Sequence, residues 1–495
     1  MFYNRILLPI LDSIHKYPQN NAFCINNIFY TYAEFGEYVS KVRNLVQHVD
    51  LRNNSIGLAA NNDIETYASI IALWLDGYNY VPLHPHWPLE RCSSIIEQVG
   101  IELVLDSSQN SRYTDVRVIN TVVGNTDPSC NLTPKKLVGD NNLAYILFTS
   151  GSTGVPKGVP ILRKNLAAFT KSFWDIGFEI SSDDRCLQCF DLTFDLSVTS
   201  YLMPLLVGAC CYTVPDTSIK YLYIYQLMDE HQLTFTLMAP STIRYLQPYF
   251  SEINCPAVRY SLFCGEALNT DITDGWSKCL PNADIYNVYG PTEDTIYCTY
   301  YKYNRDGGNK DYNGVLSIGK TMTSGEVLVL DEQGNVCKPN EKGELCLWGD
   351  QLFDQYWKND EKTRTSFITL ADGRRFYKSG DLCFTDEDGD IMYSGRLDHQ
   401  AKIQGFRVEM GEIEHHARVF LNGTNVVCLA YDNEKGLTEI AMFIESEQFD
   451  TTELVANMRT KMPPYMIPSK TFFVPKFALN INGKIDKNIL KALIK

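Results

Sequence analysis

The chain has 495 residues, too many for one compact core, so two or more domains are expected. With 45% hydrophobic and 21% charged residues it reads as a folded globular protein, not a disordered one. Its formal charge of −15 excludes nucleic acid as the main partner, because a phosphate backbone demands a basic surface.

The N-terminal stretch MFYNRILLPILDSIHKYPQN is apolar but broken by Pro9 and Asp12, and it lacks a small-residue cleavage site. It predicts an opening helix packed on the first domain, not a signal peptide, and hence a cytoplasmic protein. Fifteen cysteines, an odd number spread along the chain, fit reduced thiols better than a disulfide framework. Apolar runs then recur: SIGLAA, YVPL, IELVL, YILFTS, LQCF, CCYTV, FTLMAP, YSLFCG and DIYNVYG. They are continuous, not alternating, and helix-sized intervals separate them. This predicts an α/β fold of buried parallel sheets flanked by helices.

From Leu196 to Pro215 the chain carries no charge over a bilayer-spanning length, yet Ser197, Thr199, Ser200, Pro204 and Gly208 interrupt it. Asp195 precedes it and no positive cluster flanks it, so a buried helix and strand are expected, with no membrane span. From about Gly314, short strands and the turns DEQGN and DEDGD predict a small antiparallel β subdomain. A fresh α+β pattern follows. The expected division is an N-terminal core, residues 1–397, and a small mobile C-terminal domain, residues 398–495.

Five stretches carry chemistry. YILFTSGSTGVPKGVPI sets a loop rich in Gly, Ser and Thr after a strand, a composition that cradles phosphate through backbone N–H groups and hydroxyls. Pro156 precedes Lys157 and Gly158 follows it, so this is not the helix-opening loop of P-loop ATPases. In NVYGPTEDT, Tyr289 can stack on a base, while Thr292 and Glu293 suit phosphate and a hard divalent cation; the alternative is a proline turn and helix cap. In YKSGDL, Asp381 can accept hydrogen bonds from ribose hydroxyls. GRLDHQAKIQGFRVEMGEIE sets Arg396, Asp398, Lys402 and Arg407 around two glycines, and NINGKID offers Lys484 in a tight turn.

In this order and over this length, the five stretches resemble the adenylate-forming superfamily: acyl-CoA synthetases, luciferases and the adenylation domains of nonribosomal peptide synthetases. The resemblance covers nearly the whole chain, from YTYAEF to Lys484. It implies that a carboxylate attacks the α-phosphate of ATP, that pyrophosphate leaves, and that a thiol then takes the acyl group from the acyl-AMP. By the same resemblance Thr149, Ser150, Gly151, Ser152, Thr153, Gly154 and Lys157 hold the β- and γ-phosphates. Asn287 and Tyr289 hold adenine, Thr292 touches the α-phosphate, Glu293 binds Mg²⁺, and Asp381 binds the ribose with Arg396 beside it. Lys484 reaches the carboxylate and the α-phosphate, a sensible place for a cation because negative charge accumulates there in the transition state. Asp398 matches the hinge between the two half-reactions.

Asp195 matches the aspartate that holds the substrate's α-ammonium in amino-acid-activating members; a helix N-cap is its plainer role. The remaining pocket positions by resemblance are Leu196, Thr199, Leu237, Leu262, Cys264, Val288, Ile296 and Tyr297. They hold no second charge, which disfavours acidic and basic side chains. FDLSV with LFCGEAL resembles the D-alanine–carrier protein ligases most, although Thr199 and Val288 depart from that pattern. The expected partner is a separate carrier protein with a phosphopantetheine arm, since no carrier or condensation motif appears. Rival readings are an adenylating enzyme for another small apolar amino acid and a short-chain acyl-CoA synthetase. His84 and His86 in PLHPHWP lack a nearby cysteine or carboxylate in the sequence, and the CxxC of Cys186 and Cys189 sits in an apolar run; both pairs are expected to be structural.

Overall fold

All nine apolar runs fold as strands or overlap one. The structure is a computed structural model describing residues 1–122, 131–134, 139–151, 154–216, 218–397, 400–478 and 485–494. It divides into two compact units: Met1–Pro85, Ile96–Leu147 and Gly158–Leu397 form the first, and His86–Ile95, Phe148–Lys157 and Asp398–Lys495 the second.

In the first unit a nine-stranded sheet runs in the order Lys320–Thr321, Thr299–Lys302, Asp284–Tyr289, Tyr260–Phe263, Phe235–Met238, Arg185–Gln188, Cys210–Thr213, Asn21–Ile25, Ile28–Thr31. The six strands from Asp284–Tyr289 to Asn21–Ile25 pair in parallel, as their uninterrupted apolar sequences require. Antiparallel strands flank this parallel block on both sides. A six-stranded sheet follows the order Arg117–Asn120, Leu103–Asp106, Ser55–Ala59, Asn79–Leu83, Leu143–Thr149, Lys157–Leu162. Helix Ile64–Asp76 is buried almost all round, so its start is fixed internally: the Asp63 carboxylate accepts from the Thr66 N–H at 2.9 Å.

The uncharged stretch after Asp195 forms helix Leu196–Val207 and strand Cys210–Thr213, both buried. Among the described residues no helix is long and apolar enough to cross a membrane. The DEDGD turn joins the antiparallel strands Arg375–Thr385 and Ile391–Arg396. The DEQGN turn closes on one bridge only, Leu330 to Val336, and strand Gly325–Leu330 pairs instead with Gly343–Gly349. Pro339, lacking an N–H, cannot extend the shorter ladder.

The second unit contains the hairpin Gln400–Ile403 and Phe406–Glu409, helix Met410–Phe420, and a three-stranded sheet of Val426–Asp432, Thr438–Ile444 and Lys470–Phe473. Helix Thr452–Lys461 sets Leu454 and Met458 into a core with Ile413, Cys428 and Met442.

Candidate functional site

Strand Asp284–Tyr289 carries two of the predicted nucleotide residues on its last turns of sequence. Asn287 is buried, and its Nδ2 donates to the carbonyls of Ser317 at 3.0 Å and Leu316 at 3.3 Å. The Tyr289 hydroxyl donates to Asp381 Oδ2. Burial, and then the Asp381 carboxylate beside it, push that phenol well above its ordinary range. Asp381 and Arg396 are cross-strand partners, so Arg396 Nη1 reaches Asp381 Oδ1 at 2.7 Å. Tyr289, Asp381 and Arg396 therefore form one hydrogen-bonded group.

Beyond Tyr289 the chain turns sharply at Gly290, where a Cβ would lie 2.3 Å from the Tyr297 Cα. A short 3₁₀ turn, Thr292–Asp294, then buries all three of its side chains. Glu293 has no exposure, and the Tyr356 hydroxyl donates to its Oε1 at 2.6 Å. A carboxylate fixed in this way is a hard oxygen donor of the kind Mg²⁺ takes. Burial raises the neighbouring Asp294 carboxyl to about 7, with the Glu293 charge adding to the effect and the Cys298 thiol opposing it.

Asp195 precedes helix Leu196–Val207 and is 4% exposed, yet its side chain makes no capping hydrogen bond. The capping role offered by the sequence is thus not what its carboxylate does. Leu196, Thr199, Leu237, Leu262, Cys264, Val288, Ile296 and Tyr297 are all buried in the same unit. The hydroxyls of Thr199 and Tyr297 are buried without a full hydrogen bond among the described residues. Burial and Cys264 raise the Tyr297 phenol, while the nearby Thr199 hydroxyl pulls the other way.

The phosphate-loop residues fall in the second unit, and there the loop meets carboxylates. The Gly151 N–H donates to Glu412 Oε2 at 3.0 Å, and Lys157 Nζ pairs with Glu409 Oε1 at 2.9 Å. Ser150 Oγ donates to the Arg407 carbonyl at 2.8 Å and accepts from the Glu409 N–H at 3.1 Å. Glu412 is fully buried and pairs with Arg91, itself 5% exposed, at 2.5 Å. Gly154, with φ 81°, lies against the His415 ring. The Thr149 hydroxyl is buried without a hydrogen-bond partner among the described residues. Ser152, Thr153, Asp398 and Lys484 lie outside the described residues.

Sequence reasoning missed Arg91, Glu409, Glu412 and Tyr356. The signal for the two glutamates was their three-residue spacing across the start of helix Met410–Phe420; Arg91 and Tyr356 had none. His84 does find a carboxylate, contrary to the reading of its sequence neighbours: Asp191 stands 3.8 Å from its Nε2, brought there by the fold. Among the described residues no group of three or more His, Cys, Asp or Glu is placed to hold a metal ion. Cys186 and Cys189 are buried and their thiols are raised by burial, Cys189 to about 11.

The chain thus combines an α/β core and a second small α+β unit with a buried glutamate turn and a Tyr–Asp–Arg group. Residues 11–357 match the sequence model of the AMP-binding enzymes, and the chain belongs to that family. It is 29% identical over 502 residues to the D-alanine–D-alanyl carrier protein ligase of Lactiplantibacillus plantarum, covering 98% of each chain. To gramicidin S synthase 2 of Brevibacillus brevis it is 28% identical over 97% of its own length, but it spans only 11% of that synthase. Among solved structures, the Vibrio cholerae adenylation domain AlmE, in complex with glycyl-adenosine-5'-phosphate, superposes with a TM-score of 0.86 at 26% identity, covering 99% of this chain and 97% of that one.

Proposed function

We propose that this chain is an ATP- and Mg²⁺-dependent ligase that adenylates a small amino acid, D-alanine by preference. It then passes the aminoacyl group to the phosphopantetheine thiol of a separate carrier protein, in the cytoplasm. Support for the carrier-protein step comes from relatives in three bacteria named as D-alanine–D-alanyl carrier protein ligases, each matched over nearly its whole length. The observation that carries the amino-acid reading is the Asp195 carboxylate, buried at the start of an apolar helix and not used to cap it. A buried carboxylate at that place can pair with a substrate's α-ammonium.

On this reading the substrate carboxylate oxygen attacks the α-phosphorus, and the bond to the bridging oxygen breaks as pyrophosphate leaves. Asp381 accepts from the ribose hydroxyls, and Arg396 keeps that carboxylate oriented. Glu293 would hold Mg²⁺, which would supply charge neutralisation to the phosphates. Thr292 steadies the α-phosphate, and Lys157 with the loop N–H groups grips the departing pyrophosphate. Lys484 belongs to residues 398–495, which turn about Asp398, and it supplies the cation for the attacking and α-phosphate oxygens. The glycyl adenylate bound by AlmE supports a second reading, in which another small amino acid replaces D-alanine. One methylene is worth only about 1–3 kcal/mol in such a pocket.

ATP–pyrophosphate exchange across D- and L-amino acids tests the proposal. Exchange with a small amino acid, lost by about a hundredfold or more in Asp195→Ala, is expected for a removed buried charge partner. Exchange only with simple carboxylic acids, and unaffected by Asp195→Ala, would leave the acyl-CoA synthetase.

A further inference from the structure

Two residues in succession after the YGPTED motif sit in the left-handed region, Thr295 at φ 47° and Ile296 at φ 83°. Both are β-branched, the side chains that resist positive φ most. Such a pair persists only where the surroundings over-determine it.

One short segment, residues 351–356, does this. Gln351 is 1% exposed, and its Nε2 donates to the carbonyls of Asp294 and Tyr297, each at 2.9 Å. The Thr295 hydroxyl donates to the Gln351 carbonyl. The Phe353 N–H donates to the Glu293 carbonyl at 2.8 Å, and Tyr356 holds the Glu293 carboxylate. The segment is braced from behind by Asn165, whose Nδ2 donates to the carbonyls of Asp350 at 2.8 Å and Leu352 at 2.9 Å. Asn165 Oδ1 is also engaged, accepting from the Leu162 N–H at 3.0 Å where helix Arg163–Asp175 begins.

We propose that Gln351 is a positioning residue that fixes both ends of the strained turn together: the end bearing Glu293, and the end bearing Ile296 and Tyr297. The two amide hydrogens of one side chain bracket the strained pair, gripping the carbonyl before it and the carbonyl after it. A shift at either end therefore moves the other. Resting on the adenylation reading, this couples the placement of the nucleotide's cation to the fit of the amino-acid side chain, so that Gln351, which need touch neither ligand, sets selectivity.

The test compares wild type with Gln351→Met, which keeps the chain length and removes the donors, and with Tyr356→Phe, which frees the Glu293 carboxylate alone. Pyrophosphate exchange over the amino-acid panel and hydrogen–deuterium exchange of residues 293–298 are both read. Gln351→Met is expected to lower kcat/KM for the best amino acid and to shrink its preference over the next best, each by about tenfold, because small misplacements are costly. Residues 293–298 should lose amide protection while the melting temperature moves by no more than about 4 °C. Tyr356→Phe leaves the Glu293 backbone held by the Phe353 N–H, so the turn itself does not shift: the variant should raise the Mg·ATP concentration needed for half-maximal exchange and leave the preference unchanged. Wild-type preference and protection in Gln351→Met, or a fall in melting temperature alone, would overturn the proposal. If the wild-type protein exchanges with no amino acid, the adenylation reading fails, and protection of residues 293–298 then decides the clamp by itself: lost in Gln351→Met if it exists, retained if it does not.

Discussion

Two regions assigned to the same nucleotide are built on opposite principles. Around Tyr289, Glu293 and Asp381 the chain supplies its own hydrogen-bond partners, and the polar groups are held in place by neutral donors or by one arginine. Around residues 148–157 the partners are carboxylates: Glu409 on the lysine and Glu412 on a loop N–H. The first is a preorganised cradle. The second presents anions where the proposed function would seat phosphate oxygens, so ATP must compete with the protein's own acids there.

Breaking the anchor of the second region should have the largest effect. Arg91→Met leaves Glu412 buried without its cation, a loss of about 3–5 kcal/mol. Urea unfolding together with hydrogen exchange of residues 86–95 and 398–495 measures it; an undisturbed second unit would mean that Glu412 is held by its loop contacts alone.

A pH effect comes next, in the first region. The Asp294 carboxyl is raised to about 7 in the fold from an ordinary 3.8. Between those values the folded chain keeps a proton that the unfolded chain has released, so stability falls as pH rises through that window and levels off above it. The slope corresponds to about 4 kcal/mol in all, and Asp294→Asn should flatten it in unfolding curves taken from pH 4 to 8. An unchanged slope would place the titration elsewhere.

The smallest effect sharpens the comparison most. Glu409→Gln removes the anion paired with Lys157 and should tighten ATP binding by about two- to fivefold at low salt, with the gain fading as salt is added. Weaker binding would show that Glu409 supports the loop in its phosphate-binding form.

How much of this the sequence displays follows from the range of the forces involved. Uninterrupted apolar runs such as YVPL and CCYTV announce buried parallel strands because burial on both faces leaves no polar position. Asp381 and Glu293 are singled out only by the resemblance of YKSGDL and NVYGPTEDT to motifs of the adenylate-forming enzymes. By contrast Arg91 meets Glu412 across 321 positions, and Tyr356 meets Glu293 across 63. Neither pairing leaves a periodic trace. Gln351 lies in an ordinary-looking loop, and only the left-handed Thr295–Ile296 pair gives its side chain a task. The DEQGN turn shows the converse, a clear local signal whose ladder is redirected by Pro339.

The proposed function requires the first region to seat an amino acid and an adenylate together. Incubation with ATP, Mg²⁺ and D-alanine, followed by mass spectrometry of the bound nucleotide, is the sharpest test. An alanyl-AMP mass is expected in the wild-type protein, and its loss in Asp195→Ala. Adenylates of simple carboxylic acids alone, formed equally by both proteins, would contradict it.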